Sequence, residues 1–502
     1  MKKYAFFMTG CESWLDVAKM LYSNNIAEPV FWLGDERHSE EANNLFGKDV
    51  VHSMDELIHY PYKINNIEYS SEEVDFFFSQ NYNRIKDRCT KMMDRVDSYG
   101  SFNRLDREVV FQKISIWALK KLSLSKPDVL IMSDSPHSHA QYLIYEIALY
   151  CGIPVYKFNT FMPLPLLFLE NIETGSKVKK SIPFDKLNDY NFEDKLSKYV
   201  FNIYNSYQKT SSYEHEFMAR QRLSNQLTKR LSTFFKFGLR KIAGELKQDF
   251  LRRVDNEYYH INPSRLNIFT RLKMKRMKKN NLKINCDKNS QDYDLSSKFV
   301  YFALMHEPER TTNPDGGDFH EQLLAILKLR ELVPKNIEIF VKEHPSQFYL
   351  EERGAKGRSP MFYNLIKNIE GIRFIGPFED SNNFIKHAIF STSITGTVAL
   401  ESAIIGKRGL IFGNTWFIGC PNVISWNQNI TYDQIIANEN VDAGKVLNFL
   451  KEIYEKNCVL GCQNISAQQR FSDYLNEDFN SLEAEGIYHL MENCFNQLPK
   501  NN

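Results

Sequence analysis

Through the first third of this chain, short apolar runs alternate with stretches of helical period. Residues 4–8, 28–33, 129–132 and 155–158 read as strands. Residues 13–22 place Trp14, Val17, Ala18 and Leu21 on one helical face, and 109–122 and 138–151 keep the same period. Such alternation predicts a parallel sheet with crossover helices. Between about 190 and 290 the strand signals vanish and long polar helical stretches replace them. A second alternating region starts at Lys298, with strands predicted at 299–305, 337–342, 372–375, 388–392 and 409–412, and a mostly helical tail from Asp433. The expected division is 1–190, 191–297 and 298–502.

Length agrees with that division, because 502 residues exceed what one ordinary core holds. A net charge of +1, with 25% charged and 43% hydrophobic residues, is a soluble globular composition. The eight cysteines form no Cys-x-x-Cys pair and read as free thiols of a reducing cytosol. The apolar run after Lys3 is too short for a signal peptide. No run of about 18 apolar residues occurs; the longest candidate, 161–169, is broken by Pro163 and Pro165. A cytoplasmic protein without a membrane span is expected.

Charge is unevenly placed. From Arg220 to Lys283 there are 18 Lys or Arg against four acids, densest over residues 271–279. A solvated helical linker accounts for this. So does a surface that meets anionic lipid headgroups on the inner face of the cytoplasmic membrane. Nucleic acid is not expected as a partner, since no recognition motif accompanies the charge.

The chemistry concentrates where predicted strands end. Lys342-Glu343-His344-Pro345 follows one strand, and a His or Lys there can donate to phosphate and neutralise leaving-group charge. Ser391 to Thr397 offers five hydroxyls around Gly396 before a helix that carries Glu401. An N-cap needs one hydroxyl, so a ligand-facing loop is favoured, with Glu401 placed to reach a ribose hydroxyl. His306-Glu307-Pro308-Glu309-Arg310-Thr311-Thr312 follows the region's first strand and can bind sugar or phosphate. In the N-terminal region the matching place is Ser133-Asp134-Ser135-Pro136-His137. There Asp134 is either a base or nucleophile or the cap of the next helix, with Ser135 and His137 beside it on the acceptor side. Phosphate-loop, dinucleotide, nucleophile-elbow and zincin motifs are all missing. The one Asp-x-Asp, Asp292-Tyr293-Asp294, lies in a polar loop, so neither a metal site nor a cofactor is expected.

Three segments carry a family resemblance. They are Pro308-Glu309-Arg310-Thr311-Thr312, Val341 through Phe348, and Thr395-Gly396-Thr397 through Glu401 to Gly406-Lys407 and Phe412-Gly413. Together they resemble bacterial capsule and lipopolysaccharide biosynthesis glycosyltransferases of the capsule-synthesis type, GT-B-like and related to Kdo transferases. The likeness is best over 299–420, weaker over 128–160 and missing over 190–290. It implies an α/β, GT-B-like fold: two Rossmann-like parallel-sheet domains facing across a cleft, with the basic helical stretch as an insertion. It further implies a metal-independent transferase taking a nucleotide-sugar donor, CMP-Kdo-like favoured, to a glycan or lipid-linked glycan acceptor. On that pattern His344, Pro345, Ser393, Thr395, Gly396 and Thr397 would contact nucleotide and phosphate, and the family's catalytic acid would map to Asp134. The sequence departs from the pattern at Glu307, where Gln-Pro is expected. A nucleotide-sugar epimerase of the same fold and a non-catalytic nucleotide- or glycan-sensing factor stand as alternatives.

Overall fold

The structure is a computed structural model. It describes residues 1–7, 12–34, 38–59, 64, 71–97, 103–162, 164–180, 190–208, 222–223, 243–244, 246, 268–309, 311–349, 354–437, 442–471 and 479–499. Thirteen strands occur among them. In chain order they are β1 Lys2–Phe7, β2 Ala27–Gly34, β3 Val51–Ser53, β4 Val129–Met132, β5 Val155–Thr160, β6 Leu166–Asn171, β7 Phe299–Ala303, β8 Glu338–Lys342, β9 Ile372–Ile375, β10 Phe390–Ser393, β11 Arg408–Ile411, β12 Val423–Ser425 and β13 Val459–Leu460. The chain forms two compact units, each with its own sheet and helices. This is the α/β class with two Rossmann-like units.

The first unit comprises Met1–Lys91, Arg104–Tyr199 and Leu447–Asn502. Its sheet runs β13-β6-β5-β4-β1-β2-β3. Strands β1 to β5 pair in parallel, while β6 and β13 close one edge antiparallel. The centre is apolar on both faces because both are covered: Tyr4, Ala5, Phe6 and Phe7 are all buried, and Phe6 pairs with Trp32 and Ile131 across its two neighbours.

The predicted third region ends earlier than its helical tail suggested. Helix Phe479–Gln497 buries Ala484, Ile487, Leu490, Met491, Cys494 and Phe495, and this face joins the core of the first unit. Phe495 lies 5.4 Å from Tyr4, ring centre to ring centre. Burying each such large side chain contributes about 1.5–3 kcal/mol, which is what brings the tail back to β1.

The second unit comprises Met92–Asn103 and Val200–Val446. Its sheet is wholly parallel, ordered β12-β11-β10-β7-β8-β9. The expected insertion does not stand apart from it. Helix Ile268–Asn289 sends Leu282 and Cys286 into this core beside Val300, Ile339 and Tyr363. Lys273, Arg276 and Lys278 on that helix are exposed, as are Met277 and Ile284. Most of the basic stretch, 209–267, lies outside the described residues apart from five isolated positions. No described helix is long and apolar enough to cross a membrane.

Candidate functional site

In the second unit the chain passes from β7 to β8 and β9, then returns across β7 to β10 and continues to β11 and β12. That reversal of strand order makes a crevice at the carboxyl ends of β7 and β10, the place where open parallel sheets bind ligands. The loops after β7, β8 and β10 all start there, and they contain the residues singled out from the sequence.

The loop after β8 is built on Glu343, which is fully buried. Arg358 Nε donates to its Oε2 at 2.9 Å and the Tyr363 hydroxyl donates to the same oxygen at 2.9 Å. Its Oε1 accepts from the His344 N–H at 2.7 Å and from Arg358 Nη2 at 3.3 Å. Arg358 Nη2 also donates to the Met305 carbonyl at 2.8 Å, and its guanidinium stands 4.7 Å from the Phe362 ring centre. One guanidinium thus ties the end of β8 to the residues after β7. Burial opposes the Arg358 charge, but Glu343, together with Glu307 and Tyr363, outweighs it and holds the pKa above its ordinary value.

Two glutamines fix the backbone after β7. Gln347 Oε1 accepts from the Glu307 N–H at 3.0 Å, and its Nε2 donates to the Glu307 carbonyl at 2.9 Å. Gln322 takes the Met305 N–H at 2.7 Å, returns a bond to the Met305 carbonyl at 3.1 Å, and donates to Glu307 Oε1 at 3.0 Å. Gly357 lies so close that a Cβ there would fall 2.3 Å from the Glu307 carbonyl carbon. Glu307 itself is buried, so its carboxylate is held by Gln322 inside the loop. Arg310 lies outside the described residues.

The five hydroxyls after and within β10 divide their work. Ser391 and Thr392 are buried within the strand, and their hydroxyls have no hydrogen-bond partner among the described residues. Ser393 closes the turn, accepting from the Gly396 N–H at 2.8 Å. Thr395 donates to the Thr311 carbonyl at 2.7 Å and so binds this loop to the one after β7. Thr397 donates to Glu401 Oε1 at 2.9 Å, while Glu401 Oε2 accepts from the Tyr207 hydroxyl at 3.1 Å. Glu401 is therefore buried and bonded rather than displayed, and burial followed by the Glu401 charge raises the Tyr207 pKa well above its usual value. Gly316 completes the junction: a Cβ there would meet the Thr312 carbonyl oxygen at 2.3 Å. The helix after this loop is short, Val398–Ile404, and no side chain caps it.

His344 is poised as a donor. Its Nδ1 accepts from the Ser346 N–H at 3.1 Å, so the neutral ring carries its proton on Nε2. Burial first, then Lys342 and Arg358, push its pKa down to about 3. Pro345 opens the turn into helix Ser346–Tyr349, its carbonyl accepting from the Phe348 N–H at 3.0 Å. Lys342 does something other than expected. Only 2% of it is exposed, and its ammonium donates to the Pro377 carbonyl at 3.0 Å. Burial pulls its pKa down to about 8.

His306 drew no role of its own in the sequence. Its ring centre is 6.3 Å from that of His344, and burial followed by His344 pushes its pKa down to about 4. Its Nε2 is buried and has no hydrogen-bond partner among the described residues. A histidine directly after a predicted strand was the available signal.

In the first unit the strand order reverses between β1 and β4, and Ser133 and then Asp134 follow β4. Asp134 is buried, its Oδ1 accepts from the Ser135 N–H at 2.7 Å, and its Oδ2 lies 3.8 Å from His137 Nδ1. The Ser135 hydroxyl accepts from Lys157 Nζ at 3.0 Å, and His137 Nδ1 stands 2.9 Å from the Ser135 carbonyl. Ser138, not Asp134, caps the next helix, His139–Tyr150, in a capping box with Gln141. The capping role considered for Asp134 thus falls to its neighbour.

No family model matches the sequence, and no curated protein matches it. Solved structures similar to this chain include two from Thermosulfurimonas dismutans. The KpsC β-Kdo 2,4 transferase is 14% identical at a TM-score of 0.22, covering 35% of this chain and 54% of that one. The KpsC β-Kdo 2,7 transferase is 11% identical at 0.25, covering 66% and 78%. The UDP-GlcNAc 2-epimerase of Methanocaldococcus jannaschii is 13% identical at 0.22, covering 95% and 100%. The chain spans about half the length of the first of these. Likeness at this level carries no residue's role over to this chain.

Proposed function

We propose that this chain is a glycosyltransferase of surface polysaccharide synthesis that binds the nucleotide of a nucleotide-sugar donor at the strand-order reversal of its second unit. The observation that carries the reading is the convergence of three braced loops on that crevice, with the His344 Nε2–H as a fixed neutral donor. A neutral, oriented N–H stabilises charge as it develops on a departing phosphate without reorganising. The donor favoured is a CMP-linked acidic sugar, and the acceptor a glycan or lipid-linked glycan. His344, Pro345, Ser393, Thr395, Gly396 and Thr397 are the proposed nucleotide contacts. Glu401 and Tyr207 act by holding Thr397. Asp134 is the proposed carboxylate of the transfer step, and Ser135 and His137 position it. The proposed place of work is the cytoplasm, at the inner membrane surface where lipid-linked acceptors are met.

A thermal-shift screen against CMP, UDP, GDP and their sugars tests the reading, since a ligand at 100 times its Kd stabilises by about 2.7 kcal/mol. Stabilisation by a cytidine or uridine nucleotide, lost in His344→Ala, supports it. Stabilisation by none of them overturns it. Conversion of a UDP-sugar to its epimer without any acceptor would identify an epimerase instead.

A further inference from the structure

We infer that His306 and His344 together hold one phosphoryl group of the nucleotide, and that a proton enters the site with that group. The inference rests on the nucleotide reading above and adds to it a second ligand-holding ring and a pH dependence. A buried polar atom without a partner is rare and calls for an explanation. His306 is 8% exposed, and its Nε2 has no partner among the described residues. The neighbouring ring already has its Nδ1 occupied by the Ser346 N–H, which leaves its Nε2 as the free donor. The ring centres are 6.3 Å apart. Two N–H···O bonds of ~2.9 Å ending on one phosphoryl group span a separation of that order.

The charges around the rings explain the proton. His306 faces His344, Glu309, Arg358 and Glu343, and His344 faces Lys342 and Arg358. Burial first, then His344 and Arg358, keep His306 neutral in the ligand-free chain against the pull of Glu309 and Glu343, and burial with Lys342 and Arg358 keeps His344 neutral. A phosphate dianion placed between them reverses the local balance and favours imidazolium at His306, whereas His344 stays a neutral donor because its Nδ1 accepts the Ser346 N–H. His306 then has a higher pKa with ligand than without, so binding takes up a proton there, and the affinity of wild type relative to a His306 variant grows as pH falls. Protonation of the nucleotide's own phosphate is common to wild type and variants and cancels in their ratio.

The test is calorimetric titration of CMP and UDP at pH 6.5 in two buffers of different ionisation heat. Wild type should take up a proton on binding that the His306 variants do not. His306→Gln should bind about 10- to 100-fold more weakly, the loss of a charge-assisted bond. His306→Leu should lose affinity to the same extent while its ligand-free melting temperature stays level or rises, because an unmade buried bond is removed. Wild-type affinity and proton uptake in both variants would remove His306 from the site and leave the nucleotide reading intact. Melting temperatures that fall in step with affinity in both variants would make His306 structural and overturn the inference. If wild type binds neither nucleotide, the nucleotide reading fails and this inference fails with it.

Discussion

Replacing Arg358 with Met tests how the second unit holds its site. The substitution keeps most of the aliphatic stem against Phe362 and removes the guanidinium. Three hydrogen bonds go with it: two to Glu343 and one to the Met305 carbonyl. Glu343 keeps the Tyr363 hydroxyl and the His344 N–H, at 0% exposure. Removing one partner of a buried ion pair costs about 3–5 kcal/mol, mostly because the other charge stays buried. At about 2–4 °C per kcal/mol for a unit of this size, the melting temperature should fall by roughly 6–20 °C. Adding Glu343→Gln to Arg358→Met removes the stranded charge and should recover part of the loss, giving a coupling energy of about 2 kcal/mol or more in a double-mutant cycle. Hydrogen exchange followed on peptides over residues 338–349 places the change at the end of β8, and the His344 amide should lose protection first. A melting temperature within about 2 °C of wild type, or a coupling within ~0.5 kcal/mol of zero, would refute the claim that this pair braces the site.

Asp134→Asn should leave melting temperature and nucleotide affinity unchanged and abolish most sugar transfer; near-normal transfer removes Asp134 from the mechanism. Gly357→Ala should displace the Glu307 backbone, since the added methyl falls on its carbonyl carbon, and reduce nucleotide affinity at least tenfold; unchanged affinity would show that the loop yields without cost. Burial, the largest effect on Glu483, raises its pKa to about 7. A carboxyl with a raised native pKa lends stability below its ordinary value of 4.5, and that stability is lost as pH climbs through 7. Glu483→Gln should therefore gain on wild type between pH 4.5 and 7 and hold that gain at higher pH, as read by urea unfolding; a pH-independent difference argues against the raised pKa. Replacing Lys273, Lys275, Arg276, Lys278 and Lys279 with Gln should weaken sedimentation with anionic liposomes at low salt, each charge being worth about 1 kcal/mol at best. If wild type ignores such liposomes, the stretch is a solvated linker.

Much of the scaffold could be read because parallel strands advertise themselves. β4 and β9 fall on the expected 129–132 and 372–375. β4 is an unbroken apolar run ended by Ser133, and β9 keeps three large apolar residues around Arg373 before Gly376. β6 was hidden in 161–169, where Pro163 and Pro165 masked a strand that starts after the second proline. β13 is two residues long and exists only through its pairing with Leu166 and Leu167. The site divides in the same way. Strand-end loops are local features, so 306–312, 342–346 and 391–397 stood out. Their internal partners are not local: Glu343 with Arg358, Gln347 with Glu307, and Tyr207 with Glu401 across 194 positions of sequence. Without those partners the Ser393, Thr395 and Thr397 hydroxyls and the Lys342 ammonium look available to a ligand, whereas each already has a bond to the protein.

The return of helix Phe479–Gln497 to β1 has a consequence for synthesis. Translation delivers Tyr4 long before Phe495, and at about 5–20 residues per second the interval is roughly 25–100 s. Throughout it, the side of β1 that the helix will cover has no native partner. The second unit has every strand of its sheet between residues 299 and 425 and can complete while the tail is still being made. The middle of the chain is thus the first part able to reach its native state, and the beginning is among the last. The chain up to residue 446 contains all of the second unit and leaves the first sheet open, which makes the N-terminal strands the part of the protein exposed longest during synthesis.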